Sequence, residues 1–361
     1  MAGTMKIKIA KLKNLLRLFF RFFISFRLQM KLYSLLLSRK KKEQNSALQW
    51  LKHLADPRLY RQADPDAAQL LFKKYVTIVH LEISSFCNRS CLYCPNGQLP
   101  GKRKQKNQLP EELFEKCLKE LASIQYDQYI EFNGFNEPLH DRELFLRRVA
   151  AVRRFLPDCH LVINTNADYL TEEYLNKIAA AGVHTLFMTL HLLPEEFHLT
   201  QAQRLDKIQK FLNRFPALQF DQKEEEGFLL CGNTNIYFRL SNINEYGHNW
   251  AGTVKYAGLR RAMPCFVPAK QIYVDYSGRV NLCCSVNMDY PGMEDFSVGN
   301  VKESSLCDLF TCAKAAKIRK SLVDMRYQPE CCKYCSAQVG YIFNAACIEN
   351  PYHPYLFRGD R

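Results

Sequence analysis

Glycine and proline are scarce in this chain of 361 residues, at 15 each, and that excludes a collagen-like or low-complexity polymer. With 47% of residues hydrophobic and 12% aromatic, a disordered chain is excluded too. Acidic residues are missing altogether from positions 1–42, where twelve basic ones stand (Lys6, Lys8, Lys11, Lys13, Arg17, Arg21, Arg27, Lys31, Arg39, Lys40, Lys41 and Lys42). The rest of the chain has 38 Lys and Arg against 36 Asp and Glu, only +2 of the overall +14. So neutral a body lacks the basic stripe of a nucleic-acid reader. Nor does any uncharged apolar run reach the roughly 17–25 residues of a spanning helix, because Arg17, Arg21 and Arg27 interrupt the Leu- and Phe-rich stretch. No small-residue cleavage site follows that stretch, so no secretory signal is read, and no internal repeat is visible.

Cysteine is abundant. There are 15, an odd number that forbids complete pairing within the chain, and thiolates bound to metal in a reducing cytosol are the economical reading. In the basic segment, Lys13, Arg17 and Arg21 recur every four residues, as do Arg27 and Lys31, while Phe19, Phe20, Phe22, Phe23 and Phe26 fall largely elsewhere. That pattern suits a helix lying in a membrane interface, each cation adding about 1 kcal/mol near an anionic leaflet. The other reading is a basic helix docked on this protein or a partner. The expected location is therefore cytoplasmic, peripheral at the inner membrane face.

Residues 43–75 read as a helical preface broken at Asp56-Pro57 and Asp64-Pro65. From Val76 onward, strands near 76–84, 129–133, 160–165 and 184–190 alternate with helices near 110–123, 141–156 and 171–181, the pattern of parallel βαβ units. A helix at 195–214 and weaker strands at 217–221 and 235–240 complete six strands, and the run Glu224, Glu225, Glu226 reads as a solvated loop. The fold class is α/β, a partial (β/α)6 TIM-like barrel over 76–245, followed by a linker at 246–264. A cysteine-rich module follows over 265–347, with a hairpin about Tyr276, Ser277 and Gly278 and a helix at 304–325, and residues 348–361 form a tail.

Directly after the first strand, Cys87, Cys91 and Cys94 form a C-x3-C-x2-C loop, at the strand end where α/β barrels place their chemistry. Three thiolates reach three corners of a compact metal centre, whereas a closed zinc site or iron–sulfur cube takes four. With no fourth Cys or His nearby in sequence, one iron stays open to a small molecule. The alternatives are a zinc loop with a distant fourth ligand, or three buried thiols.

The loop resembles that of the radical S-adenosylmethionine (SAM) enzymes. In that family three such cysteines hold a [4Fe-4S] cluster whose fourth iron chelates the methionine end of SAM. Reduction then cleaves the sulfonium to a 5'-deoxyadenosyl radical that abstracts a hydrogen atom from substrate. The resemblance implies a cofactor site. Tyr93, directly before the third cysteine, would contact adenine. The strand-two turn with Gly134 and Glu137 would receive the amino group, although Phe135 and Asn136 replace the usual glycine. Asn166 stands in a Thr-Asn-Gly-like turn with Ala167 in place of glycine, and Thr189 and His191 end strand four. It further implies a reductase partner such as flavodoxin or ferredoxin.

In the second module, Cys265 and Cys283 fit a C-x12-G-x4-C pattern around Gly278, and Cys332-Lys-Tyr-Cys335 supplies two more thiolates. This resembles the SPASM or twitch extension and implies one auxiliary [4Fe-4S] cluster, with four-thiolate zinc as the alternative. Cys284 and Cys331 adjoin these ligands and could replace them. Cys347 alone follows, which leaves a second auxiliary cluster unsupported. Cys117, Cys159, Cys307 and Cys312 read as buried thiols.

The resemblance implies radical oxidation of a small molecule, sugar or cell-envelope precursor. Epimerisation follows instead if a thiol returns the hydrogen, and Cys231 is the candidate donor. A maturase of ribosomally made peptides, and a cysteine-rich metal-binding protein without catalysis, are the competing readings.

Overall fold

The computed structural model describes residues 56–99, 106–216, 218, 226–241, 249–254, 261, 264–324 and 328–335. The expectations for residues 1–42, for the start of the preface, for all but one residue of a strand at 217–221 and for Cys347 lie outside the described residues.

Both proline breaks in the preface are helix starts. Asp56 caps a 3-10 turn, Pro57–Tyr60, and Asp64 caps α1 (Pro65–Tyr75). In each case the aspartate accepts a backbone N–H and proline follows at the first position, where no N–H is needed. Helices α2 (Glu111–Ser123), α3 (Arg142–Phe155) and α4 (Glu172–Ala180) lie where the apolar spacing puts them. Helix α2 buries Leu113, Phe114, Cys117, Leu118 and Leu121, a stripe at i, i+4, i+8. Helix α5 (Gln201–Leu212) starts later than the periodicity suggests, because Thr200 and Gln203 form a capping box there. The expected helix at 304–325 is two, α6 (Leu306–Thr311) and α7 (Ala313–Asp324), interrupted by extended backbone at Cys312.

Strands β1 (Ile78–Leu81), β2 (Tyr129–Glu131), β3 (His160–Thr165) and β4 (Thr185–Leu190) run parallel in that order, followed by β6 (Thr234–Leu240). Two corrections to the sequence reading arise here. Glu226 is not part of a loop: it opens β5 (Glu226–Cys231), which pairs antiparallel with β6 through a turn with Gly232 at φ 56°. The sheet also does not end with the barrel. β7 (Gln271–Val274) pairs parallel with β1 in the register Ile78↔Gln271, and β8 (Arg279–Asn281) and β9 (Gly299–Asn300) extend it, giving nine strands in the order β5-β6-β4-β3-β2-β1-β7-β8-β9. Gly278, at φ 84°, makes the β7–β8 turn as expected. The cysteine-rich module is thus built onto the open edge of the barrel.

The barrel lumen is layered by the two-residue period of the strands. Its floor is an apolar cluster of Ile78, Tyr129, Val162, Phe187 and Tyr237. Two residues further along each strand stand His80, Glu131, Asn164, Thr189 and Arg239, and two further Glu82, Asn133, Asn166, His191 and Ser241. Polarity therefore rises toward the C-terminal ends. Among the described residues no helix is long and apolar enough to cross a membrane.

Candidate active site

Cys87, Cys91 and Cys94 are half-buried in the loop that follows β1, and no described cysteine is in a disulfide. Cys94 N–H donates to Cys91 O at 3.1 Å and Gly97 N–H to Cys94 O at 2.9 Å, so the loop is wound by its own backbone. A clamp that the sequence reading missed ties it to the end of β3. Arg89 spans Asp168 with Nε–Oδ2 at 2.7 Å and Nη2–Oδ1 at 2.5 Å, Asn88 donates to Asp168 at 2.7 Å, and Asn166 Nδ2 donates to Asn88 at 2.8 Å. The only sequence signal was the polar pair between two cysteines. Arg89→Ala removes a bidentate support of the loop, and SAM affinity, measured by equilibrium dialysis, is expected to fall roughly 10- to 100-fold while Arg89→Lys recovers part of it.

Tyr93 is fixed on three sides. Its hydroxyl lies 2.6 Å from His191 Nδ1 and 2.9 Å from Ser241 Oγ, its ring stacks on His191 at 5.8 Å, and its carbonyl accepts from Trp250 Nε1 at 2.8 Å. Burial, with Arg89 and Arg239 nearby, pushes His191 down to about 3, so the imidazole stays neutral. Glu137 is buried and already engaged: Thr165 Oγ1 and Leu139 N donate to Oε1 at 2.7 and 3.0 Å, and Asn166 N to Oε2 at 2.7 Å. Three of a carboxylate's roughly four lone-pair positions are thereby used within the chain. Its first role is to brace the ends of β2 and β3, with burial raising it to about 7. Ala167 adopts the left-handed φ of 58° that favours glycine. Thr189 is approached by Arg239 Nε at 3.5 Å.

Gly134 is needed for close approach, but the neighbour is a side chain of the second module. A Cβ there would stand 2.6 Å from Tyr273 Cε2 and 2.8 Å from Glu82 Oε1. Beneath it Glu82 accepts from Phe135 N at 2.7 Å and from Tyr273 Oη at 2.8 Å. These residues, with Asn96, Asp275, Asn287, Met288 and Asp289, line a narrow polar cleft between the cysteine loop and the β7–β8 hairpin. Its wall is acidic: Arg279 Nη2 sits 2.6 Å from both Asp275 and Asp289, one cation for two carboxylates. Burial, with Asp275 and Asp289 adding to it, raises Glu82 from 4.5 to about 8. A folded-state pKa above the unfolded one means that stability is full below about 4.5 and is lost as pH rises to about 8, at about 1.4 kcal/mol per pH unit. Glu82→Gln is expected to flatten that slope in urea unfolding between pH 5 and 8.

The second group of cysteines gathers about a buried arginine. Cys265 and Cys335 lie within electrostatic reach of Cys283, Cys265 and Cys283 within reach of Cys332, and the buried Arg261 faces Cys265, Cys335 and Cys332 while its Nε donates to Cys332 O at 3.1 Å. Cys331 stays beside Cys332, Sγ to Sγ 3.7 Å. Cys284 points elsewhere, towards His80 and Gln271. Cys231 is misplaced for the role the sequence suggested. It ends β5, which runs antiparallel to β6, so it sits at the barrel end opposite the cysteine loop, with its thiol 3.4 Å from Asn176 Oδ1 on α4. No local pattern reveals at which end of a barrel an antiparallel strand finishes.

Both donor sets fit iron–sulfur clusters in kind: soft thiolates, three beside an open cleft and four around a buried cation. Among the described residues no three His, Cys, Asp or Glu side chains converge on one metal ion.

Comparison with known proteins agrees. Residues 81–220 match the Radical SAM superfamily and residues 265–336 match SPASM, an iron–sulfur cluster-binding domain. An S-adenosyl-L-methionine-dependent 2-deoxy-scyllo-inosamine dehydrogenase from Niallia circulans is 26% identical over 271 residues, 73% of this chain and 94% of that protein. A GTP 3',8-cyclase from Nautilia profundicola is 31% identical over 136 residues, 37% of this chain and 41% of that one. The crystal structure of BtrN in complex with AdoMet and 2-DOIA shares the fold, with a TM-score of 0.56 at 24% identity, covering 72% of this chain and 93% of that one. The barrel with its three-cysteine loop thus carries a Radical SAM domain and the module with its four gathered thiols a SPASM domain, a pairing consistent with SAM and [4Fe-4S] clusters as cofactors.

Proposed function

We propose that this enzyme abstracts a hydrogen atom from a small polar substrate carrying hydroxyl and amino groups, of aminocyclitol or amino-sugar kind, with oxidation or epimerisation as the outcome. One observation carries this reading: the cleft between the cysteine loop and the β7–β8 hairpin has an acidic, hydrogen-bonding wall. Asp275 and Asp289 together exceed the charge of Arg279, which favours a substrate ammonium, and Glu82, Asn96 and Asn287 offer hydrogen bonds to hydroxyls. The dehydrogenase relative named above acts on an aminocyclitol, in keeping with that chemistry.

In this reading Cys87, Cys91 and Cys94 hold the SAM-binding cluster, and Cys265, Cys283, Cys332 and Cys335 the auxiliary one. The first supplies a 5'-deoxyadenosyl radical when it is reduced with SAM bound. Tyr93, held against His191, faces the adenine, and the shelf of Gly134, Glu137 and Asn166 receives the methionine end. Phe135 and Trp250, packed at 5.5 Å, exclude water from the cleft beside Cys94.

The test is anaerobic reconstitution with SAM, a low-potential reductant and 2-deoxy-scyllo-inosamine deuterated on its carbinol carbons. Deuterium in 5'-deoxyadenosine supports the reading. Formation of 5'-deoxyadenosine that is neither labelled nor increased by the probe contradicts the substrate class. The basic segment at 1–42 is proposed to bring the chain to an anionic membrane surface, and deleting it is expected to abolish co-sedimentation with phosphatidylglycerol vesicles.

A further inference from the structure

Cys284 follows Cys283 directly and stays within electrostatic reach of it, yet its own contacts lie with other residues. Cys284 opens a turn closed by Val286 N–H donating to Cys283 O at 3.1 Å, and its side chain lies towards the barrel. There its thiol meets the His80 imidazole and lies 4.0 Å from Gln271 Oε1. His80 Nδ1 stands 3.0 Å from Glu131 Oε2, and its Nε2 3.4 Å from Gln271 Oε1. Cys284 is only partly buried, and it packs with Cys94 on the same patch of Phe135, Tyr273 and Met288, three residues that also line the cleft. Cys284 therefore stands at the edge of the cleft, against residues that line it.

A second observation points to an occupant beside it. Gln271 is 7% exposed, and its amide nitrogen has no hydrogen-bond partner. A buried donor left unmade costs about 1–3 kcal/mol, and a polar molecule reaching it beside Cys284 would relieve that cost.

We propose that Cys284 is a catalytic residue, the hydrogen-atom donor that quenches the substrate radical, so that the net reaction inverts a carbon centre rather than oxidising it. This rests on the cleft reading above and chooses between its two outcomes. The S–H bond is weaker than the C–H bond it makes, so a thiol in contact with a carbon radical gives up its hydrogen atom. In a dehydrogenase the same thiol would return the hydrogen that catalysis had removed.

The step balances. The S–H bond of Cys284 breaks homolytically and a C–H bond forms on the substrate. The thiyl left on Cys284 takes one electron from a low-potential reductant of flavodoxin or ferredoxin class, and one proton by way of His80. Counting the electron that cleaves SAM, each inversion consumes two electrons and one proton per SAM. Oxidation would return the substrate's electron instead.

The full chain, reconstituted anaerobically as wild type, Cys284→Ala and Cys284→Ser, decides the matter without the natural substrate. Both variants are expected to keep about eight irons per chain, two four-iron clusters. Loss of four would make Cys284 a ligand and overturn the proposal. In D2O with SAM and dithionite alone, the thiol is S–D, and the 5'-deoxyadenosyl radical, finding no substrate, takes its atom from there. Wild type is expected to give 5'-deoxyadenosine with one deuterium, and both variants to give only natural-abundance material. Serine keeps the shape with a stronger O–H bond, so this variant answers even if alanine unsettles the fold. Equal labelling of wild type and variants, or none in wild type, overturns the proposal but leaves the cleft reading standing. Absence of 5'-deoxyadenosine in wild type sinks both.

Discussion

With Cys87, Cys91 and Cys94 all changed to alanine, the protein is expected to hold about four irons in place of about eight and to form no 5'-deoxyadenosine above the uncatalysed background. The three thiols sit on one loop wound by its own backbone and clamped by Arg89 to Asp168. Their loss therefore leaves the four thiols around Arg261, on other elements, in place. Iron and sulfide assays with chromatography of the nucleoside product check both halves. Retention of all the iron would mean that the loop holds no cluster. The complementary change, Cys265 and Cys283 to alanine, is expected to remove the other four irons while SAM cleavage persists.

Gly134→Ala is the second large effect, and it separates a packing role from a ligand role. The new methyl group would press on the Tyr273 ring and on Glu82, neither of which can retreat. Tyr273 is buried, donates to Glu82 at 2.8 Å and packs on Phe135 at 6.3 Å. Overpacking of this kind costs about 1–3 kcal/mol. The larger expected effect is on turnover, since a shift of about 1 Å at the cleft lowers it by about 100-fold. The thermal midpoint and the rate of probe-dependent 5'-deoxyadenosine formation, measured on one preparation, report the two effects separately. A normal rate would show that the distance between Gly134 and Tyr273 does not matter to catalysis.

The chemistry of this chain was more legible in sequence than its architecture. A C-x3-C-x2-C loop after a strand constrains both ligand type and ligand number, so the proposal for Cys87, Cys91 and Cys94 starts from spacing. The second set was readable to within a neighbour. Spacing favoured Cys283 with Cys284 as a possible substitute, and Cys283 lies within electrostatic reach of Cys265 and Cys335 while Cys284 meets His80. Glu82, Tyr273, Asp275 and Asp289 were invisible, because they meet through the pairing of β1 with β7. The Tyr273–Glu82 bond spans 191 positions, a separation that no local periodicity encodes. Cys231 was misread for the same reason. Glu137 was found, but a motif does not show that a carboxylate is already occupied by Thr165, Leu139 and Asn166.

The claim beneath all of this is that three sulfurs leave one iron open to SAM. Electron–nuclear double resonance on the reduced, full-length protein with SAM carrying 15N in its methionine amino group tests it most directly. The account predicts a 15N coupling to the reduced cluster that disappears in the Cys87, Cys91, Cys94 triple alanine variant and persists when Cys265 and Cys283 are replaced. SAM bound at full occupancy without any coupling, or a coupling that survives the triple variant, would contradict it.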